Sequence, residues 1–362
     1  MPIYEASFRI GCGRYVQAPN AILTCGEEVK RLGCFPLIVG DDTTIALTRE
    51  MLGKGLVGKC EQYEIVVHNG SCCDEKAQEL AGRAKALGCD VIVGVGGGVL
   101  MDFAKLCAHF AALPVINIPT SSATCAAYAP LSVRYTPEGR TVGTKHYARE
   151  VDAVIVDTAL LAAQPIRLLL AGVFDALAKF VEIKQRYHVG EEAPLGLDYA
   201  YALATHSYDV LMRRTAPCVE AMKRGEITQD VEQVIFTTIA ATGVISGIAR
   251  GANQCALAHK FYENSRYLYF KESRAFLHGE IVGVGLLLQN HFNGEVQENE
   301  RLLALMSAYG MPHSVPSLGI PCDEESLEKY YVRICNSSAI DKSNAAECEK
   351  FKKGLHYLWG LV

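Results

Sequence analysis

The chain has no surplus of basic residues, no long apolar run and no paired cysteine spacing, and each absence removes a class of function. Lysine and arginine number 35 against 40 acidic residues, a net charge of -5, so the basic face that nucleic acid requires is not expected. No apolar stretch approaches the ~20 residues that span a bilayer. The opening MPIYEASFRIGCGRYV mixes charged and apolar residues throughout, unlike a secretory leader. No membrane partner is expected, and the compartment expected is the cytoplasm. The 14 cysteines are scattered along 362 residues, whereas disulfide frameworks belong to short secreted domains; free thiols in a reducing compartment follow. Cys72 and Cys73 are adjacent, as vicinal redox or metal-binding thiols can be, but no second pair lies near them in sequence. Internal repeats and low-complexity tracts are missing too, which excludes repeat architectures.

What is present is ordinary globular composition, 50% hydrophobic and 21% charged, in a chain long enough for two domains. Short β-rich runs alternate with helical stretches through the first half: Pro36–Gly40, Tyr63–Val67, Val91–Val95, Val115–Ile118 and Ala153–Val156. That alternation predicts a doubly wound, mostly parallel sheet. From about Pro165 longer amphipathic segments take over, Leu168–Tyr187, Leu197–Arg213, Val231–Ile248 and Glu298–Tyr309. The expected organisation is an α/β N-terminal domain, 1–163, followed by an all-α C-terminal domain, 164–362. Ligands of such sheets bind beyond the carboxyl ends of the strands, so the crevice between the two halves is the expected site.

The densest signal is VIVGVGGGVLMDFAK, Val91 to Lys105. Val91, Ile92 and Val93 read as a strand buried on both faces. Gly94, Gly96, Gly97 and Gly98 remove the Cβ atoms that would keep an anionic ligand off the backbone, and the helix that follows aims its first amides into the turn. Phosphate binding is the functional reading. A plain strand-to-helix turn uses glycines as well.

The string GGGVLMDFAK resembles the GGGxxxDxAK signature of the iron-containing alcohol dehydrogenase and glycerol dehydrogenase superfamily, with Asp102 and Lys105 at its fixed positions. The resemblance covers most of the chain from about Tyr15 to Gly294 and implies a dehydroquinate synthase-like fold. It implies that Gly96, Gly97 and Gly98 carry the pyrophosphate of a nicotinamide dinucleotide, with Asp102 close by. Many glycerol dehydrogenases have Lys where this chain has Val99. Further along, AGVFDALAKFVE, CALAHKFYE and FLHGE resemble the segments that hold the family's metal, which implies Asp175, His259 and His278 as ligands of one divalent ion, zinc or iron. Two imidazoles and a carboxylate suit such an ion and leave positions open for substrate. Each residue alone could be a buried or surface side chain of no special role. Tyr262 stands where the family usually has a second His, and Lys179 where some members carry another His ligand, so three protein ligands are expected.

The loop IPTSSATCAAYAPLSVRY also resembles the family's, which wraps the nicotinamide half of the cofactor. Thr120, Ser121 and Ser122 offer hydroxyls there, and Leu131 and Tyr135 match residues that line the ring. Asp41 follows the strand PLIVG, where a carboxylate can accept from both hydroxyls of the adenosine ribose and repels a 2′-phosphate; NAD is therefore expected over NADP. Asp42 could take that role, or Asp41 could simply serve the turn. Cys125 replaces the Asp through which glycerol dehydrogenases contact the polyol, and ATCAAYAPLSV is closer to the hydroxycarboxylate dehydrogenase branch. The resemblance thus implies metal-dependent hydride transfer between NAD(P)(H) and a small hydroxy or carbonyl compound, including a 2-hydroxy acid/2-oxoacid pair. Glycerol dehydrogenase activity, or a member that binds nucleotide or metal without turnover, are the alternatives. A homo-oligomer is expected. Dehydroquinate synthase chemistry would call for a cationic cluster around a phosphorylated substrate, and the dehydrogenase motifs match better.

Overall fold

The computed structural model describes residues 10–249 and 255–360; the first nine residues of the segment compared with a leader lie outside them. The chain divides into two compact units, Met1–Leu169 with Arg213–Gly247, and Leu170–Met212 with Ile248–Val362. The sequence alone suggests one boundary, at 163, whereas the packing returns the chain to the first unit between Arg213 and Gly247.

The first unit is built on a six-stranded sheet in the order β1–β8–β5–β4–β2–β3. The strands are β1 (Tyr15–Ala18), β2 (Pro36–Gly40), β3 (Glu64–Val67), β4 (Val91–Gly96), β5 (Val115–Pro119) and β8 (Ala153–Asp157), and every pairing is parallel. Strands β2, β4, β5 and β8 are buried at every position, which is why they read as unbroken apolar runs. The helices between them are α1 (Cys25–Leu32), α2 (Asp42–Leu56), α3 (Asp74–Leu87) and α4 (Gly98–Ala111). From β2 the chain moves outward to β3, and from β4 it moves the other way to β5. The strand order therefore reverses between β2 and β4, the switch point at which open α/β sheets bind ligands. Asp41 follows β2 and the glycine turn follows β4, so topology brings them to one edge.

Three strands were not expected, the edge strand β1 and two others. Leu131–Tyr135, expected within the nicotinamide loop, forms β6, and Thr141–His146 forms β7, an antiparallel hairpin. Its turn carries Gly139 at φ 85°, a backbone state that favours glycine. The helix after the glycine turn begins at Gly98, three residues before Met101.

The run Gln229–Ala249 corrects the reading that nothing here has membrane-spanning length: it is 21 helical residues with a mean hydropathy of 1.5 in its most apolar window. Asp230 and Glu232 break the apolar run in sequence without breaking the helix. It comprises α8 (Gln229–Phe236), a π turn and α9 (Thr242–Ala249). Glu232 accepts from Gln17 Nε2 and Thr158 Oγ1, both at 2.7 Å, and Gly243 lies so close to Tyr128 that a Cβ would stand 2.4 Å from its ring. These contacts make it a packed helix of the first unit.

Among the described residues every strand precedes Thr158, and the second unit is helical. It contains most of α6 (Ile166–Ile183), the first part of α7 (Leu195–Lys223), then α10 (Leu257–Leu268), α11 (Phe270–Ser273), α12 (His278–Asn293), α13 (Glu298–Ala308), α14 (Glu324–Cys335) and α15 (Ala345–Trp359). Helix α12 is buried at every position from Gly279 to Asn290, as expected of a helix with small or apolar residues on all sides.

Candidate metal centre and dinucleotide cradle

Beyond Leu168, helix α6 carries only three charged residues, Asp175, Lys179 and Glu182. Their i, i+4, i+7 spacing puts them on one face, and all three are buried. Helix α12 reaches that face through its glycines. A Cβ on Gly279 would stand 1.7 Å from the Ala171 carbonyl oxygen, one on Gly283 3.1 Å from Phe174, and one on Gly285 2.7 Å from the Ala258 carbonyl oxygen. Side chains at these positions would push α12 off α6 and α10. Without them, His278 at the start of α12 and His259 on the first turn of α10 converge on Asp175.

The nitrogen Nε2 of His259 lies 3.4 Å, and that of His278 3.2 Å, from the same oxygen, Asp175 Oδ1. One ligand atom from each residue lies within 4.8 Å of the other two. Burial alone would push the Asp175 carboxyl up, but His278 and His259 beside it hold it well below the usual carboxylate range. Burial likewise opposes protonation of His259, and Glu182 leads the charges that override it and raise its pKa. Two imidazole nitrogens facing one buried carboxylate oxygen form a donor set that a divalent cation can satisfy, and N, N, O donors are those that zinc and iron accept. The three residues fit such an ion.

Two residues near the centre depart from the family's pattern. Tyr262 meets the His278 ring edge-on, with centroids 4.2 Å apart. Lys179 is buried and its charge helps hold Asp175 ionised. Glu182, to which no role is given from sequence, is fully buried, lies with Oε2 2.5 Å from His259 Nδ1, and accepts from the His259 amide at 2.9 Å and from the Ala256 amide at 2.7 Å. The available signal is its place on the stripe with Asp175.

In the first unit the glycines divide by role. Gly94 gives α4 room against the sheet, since a Cβ there would stand 2.4 Å from that of Ala104. Gly96 takes φ 154° to turn the chain. Gly97 caps α4 with no side-chain hydrogen bond; the Leu100 and Met101 amides return to the Gly97 carbonyl, and the Gly98 and Val99 amides ahead of them are the ones a helix start offers to a ligand. Thr120 to Thr124 lie alongside: Cβ atoms on Gly97 and Gly98 would stand 3.7 Å from Ser121 Oγ and 3.0 Å from Thr124 Oγ1. Such a cradle fits a pyrophosphate.

Asp41 caps α2, accepting from the Thr44 amide at 2.7 Å, and Thr44 Oγ1 donates to the Val95 carbonyl of β4 at 3.1 Å. The Asp is thereby tied to the end of the neighbouring strand. Ser122 points inward, fully buried, with its amide and hydroxyl both on Gln164 at 2.9 Å; its role is to anchor the loop. Leu131 and Tyr135 are half-buried on β6, and Cys125 is half-buried in the preceding turn, its carbonyl accepting from the amides of Tyr128 and Ala129.

Asp102 faces away from the cradle's edge into the protein, buried, 2.9 Å from Lys105 Nζ and accepting from the Val133 amide at 2.9 Å. Lys105 Nζ in turn donates to the carbonyls of Ala126 at 2.6 Å, Ala129 at 2.8 Å and Leu131. The Asp and Lys of the glycine signature thus shape the segment that carries Cys125.

Comparison with known proteins gives the family and the fold. Residues 12–158 match the family model for iron-containing alcohol dehydrogenases. The chain is 30% identical to a glycerol dehydrogenase of Thermotoga maritima over 90% of its own length and 89% of the relative's. It is 32% identical to hydroxycarboxylate dehydrogenase A of Escherichia coli, over 81% and 76%. A crystal structure of a probable glycerol dehydrogenase from Sinorhizobium meliloti superposes with a TM-score of 0.82 at 26% identity, covering 97% of this chain and 98% of that one. With the signature, the sheet and the whole-length relatives in accord, the chain belongs to the iron-containing alcohol dehydrogenase family of oxidoreductases.

Proposed function

We propose that this chain transfers hydride between NAD(H) and a small hydroxy or carbonyl compound, with a divalent ion, zinc or iron, held by Asp175, His259 and His278. The convergence of three buried or half-buried donors on one point carries this reading. When bound, the ion would polarise the substrate oxygen and the dinucleotide would supply or accept the hydride. The chain's own residues do the rest: Gly97 and Gly98 bare the Gly98 and Val99 amides at the start of α4 for the pyrophosphate, and Asp41 meets the requirement of the adenosine ribose.

Asp41 favours NAD(H) because a carboxylate gains hydrogen bonds from a free 2′-hydroxyl and is repelled by a 2′-phosphate. Asp41→Ser keeps a good helix cap while removing the charge. It should narrow the ratio of kcat/KM for NADH over NADPH by about tenfold, the worth of one charge-assisted hydrogen bond. A wild type that prefers NADPH would remove Asp41 from this role.

For the substrate we propose a 2-hydroxy acid/2-oxoacid pair. Cys125 supports it, because a loop carboxylate would repel a carboxylated substrate and a neutral thiol does not. Glycerol/dihydroxyacetone is the second reading, favoured by the glycerol dehydrogenases among the relatives. Cys125→Asp should shift relative kcat/KM from 2-oxobutanoate toward dihydroxyacetone by about tenfold. A native preference for dihydroxyacetone that the substitution leaves unchanged would establish the second reading.

A further inference from the structure

Glu182 is a buried acidic group, in contact with a candidate metal ligand, that the proposed chemistry leaves unused. It has no exposed surface, and two backbone amides and one imidazole nitrogen of one short stretch converge on it. Oxygen Oε1 accepts from the Ala256 and His259 amides, and Oε2 lies 2.5 Å from His259 Nδ1. The helix α10 has no side-chain cap of its own at Ala256, so Glu182 supplies that cap from α6. The intervening Leu257 amide is taken by Gln289 Oε1 at 2.7 Å, and the first turn of α10 is thereby fixed on both sides.

We propose that Glu182 is a positioning residue that holds His259 as the Nδ1–H form, so that the lone pair of Nε2 is the one offered beside Asp175. This rests on the metal reading above and adds to it the control of one ligand. The carboxyl of Glu182 already accepts two backbone amides on Oε1, and its second oxygen stands 2.5 Å from Nδ1, where an acceptor oxygen favours the tautomer with the proton on Nδ1. The geometry then leaves Nε2, 3.4 Å from Asp175 Oδ1, as the coordinating atom. A carboxylate behind a ligating imidazole also raises its basicity and fixes its ring.

The discriminating substitution is Glu182→Gln, nearly equal in size. Its amide has one acceptor atom and one donor atom, yet donors face both. If the oxygen keeps the two backbone amides, the NH2 group confronts Nδ1 and forces the proton to Nε2, which blocks coordination. If the amide turns over, Nδ1–H is kept and the cap of α10 is lost. Apparent zinc affinity, measured by chelator competition, should fall about 10- to 100-fold, the usual cost of removing a ligand's outer partner. In zinc-loaded wild type with isotope-labelled histidine, nuclear magnetic resonance should show a proton on His259 Nδ1 that exchanges slowly with solvent, since its acceptor is buried. This second readout needs no variant and so stands even if Glu182→Gln does not fold. Wild-type zinc affinity in Glu182→Gln, or an unprotonated His259 Nδ1 in the zinc-loaded wild type, overturns the role of Glu182 and leaves the metal centre standing. A wild type that binds no zinc or iron overturns both.

Discussion

His259→Ala and His278→Ala should each lose the divalent ion and with it about a thousandfold in NADH-linked turnover. Three protein donors are the usual complement of a catalytic zinc or iron site, and two rarely retain the ion. The polarisation it supplies is worth several kcal/mol in the transition state, and ~4 kcal/mol corresponds to about a thousandfold in rate. His278 is the cleaner test, because its side chain is 28% exposed and its buried partner Asp175 keeps His259 beside it. His259→Ala also strands Glu182, so its circular dichroism must be compared with that of wild type. Metal content by elemental analysis decides the matter: a stoichiometric ion retained in both variants would show that these residues are not the ligands.

Lys105→Ala should destabilise the first unit by about 3–5 kcal/mol, the cost of removing one partner from a buried ion pair. The substitution leaves Asp102 buried without its cation and leaves the carbonyls of Ala126, Ala129 and Leu131 without their donor. For a chain of this size the melting temperature should fall on the order of 10 °C. The deficit depends on pH. Burial already pushes the Asp102 carboxyl up, against the pull of Lys105, and losing the cation pushes it further. A carboxyl raised above its unfolded value binds more protons when folded, so stability falls as pH rises above the ordinary Asp range near ~3.9. The difference between variant and wild type should therefore be larger at pH ~8 than at pH ~5. Melting points within about 2 °C at both values would contradict a structural role for the pair.

The two halves of this molecule differ in how much of them can be read from residues alone. Strands β2, β4, β5 and β8 are legible because a parallel strand covered on both faces must be apolar throughout. Strand β1, with YVQA only partly buried, and the hairpin β6–β7, whose TVGTKH is largely exposed, lack that pattern. The helical run Gln229–Ala249 is hidden as an apolar segment by the two acids at its start. The glycine turn is visible as a turn, but which glycine makes room for α4, which bends the chain and which bares amides depends on neighbours such as Ala104 and Ser121. Asp175, His259 and His278 are suggested by resemblance and not by periodicity, since their convergence requires Gly279, Gly283 and Gly285 to admit α12. Glu182 lies on a visible stripe, yet its partners Ala256 and His259 are 74 and 77 positions away, and no local pattern connects them. Lys105 looks like part of a phosphate signature until its carbonyl partners on the Cys125 segment are seen.

The most direct measurement of the central claim is NADH oxidation by one preparation before chelation, after chelation, and after zinc or ferrous iron is restored. Substrates should include 2-oxobutanoate, small aldehydes and dihydroxyacetone. Turnover that disappears with the ion and returns on its restoration, with NADH still bound by the stripped protein, is the predicted result. Turnover that is indifferent to the ion, or a fully loaded protein that binds NADH and reduces none of these compounds, would contradict it.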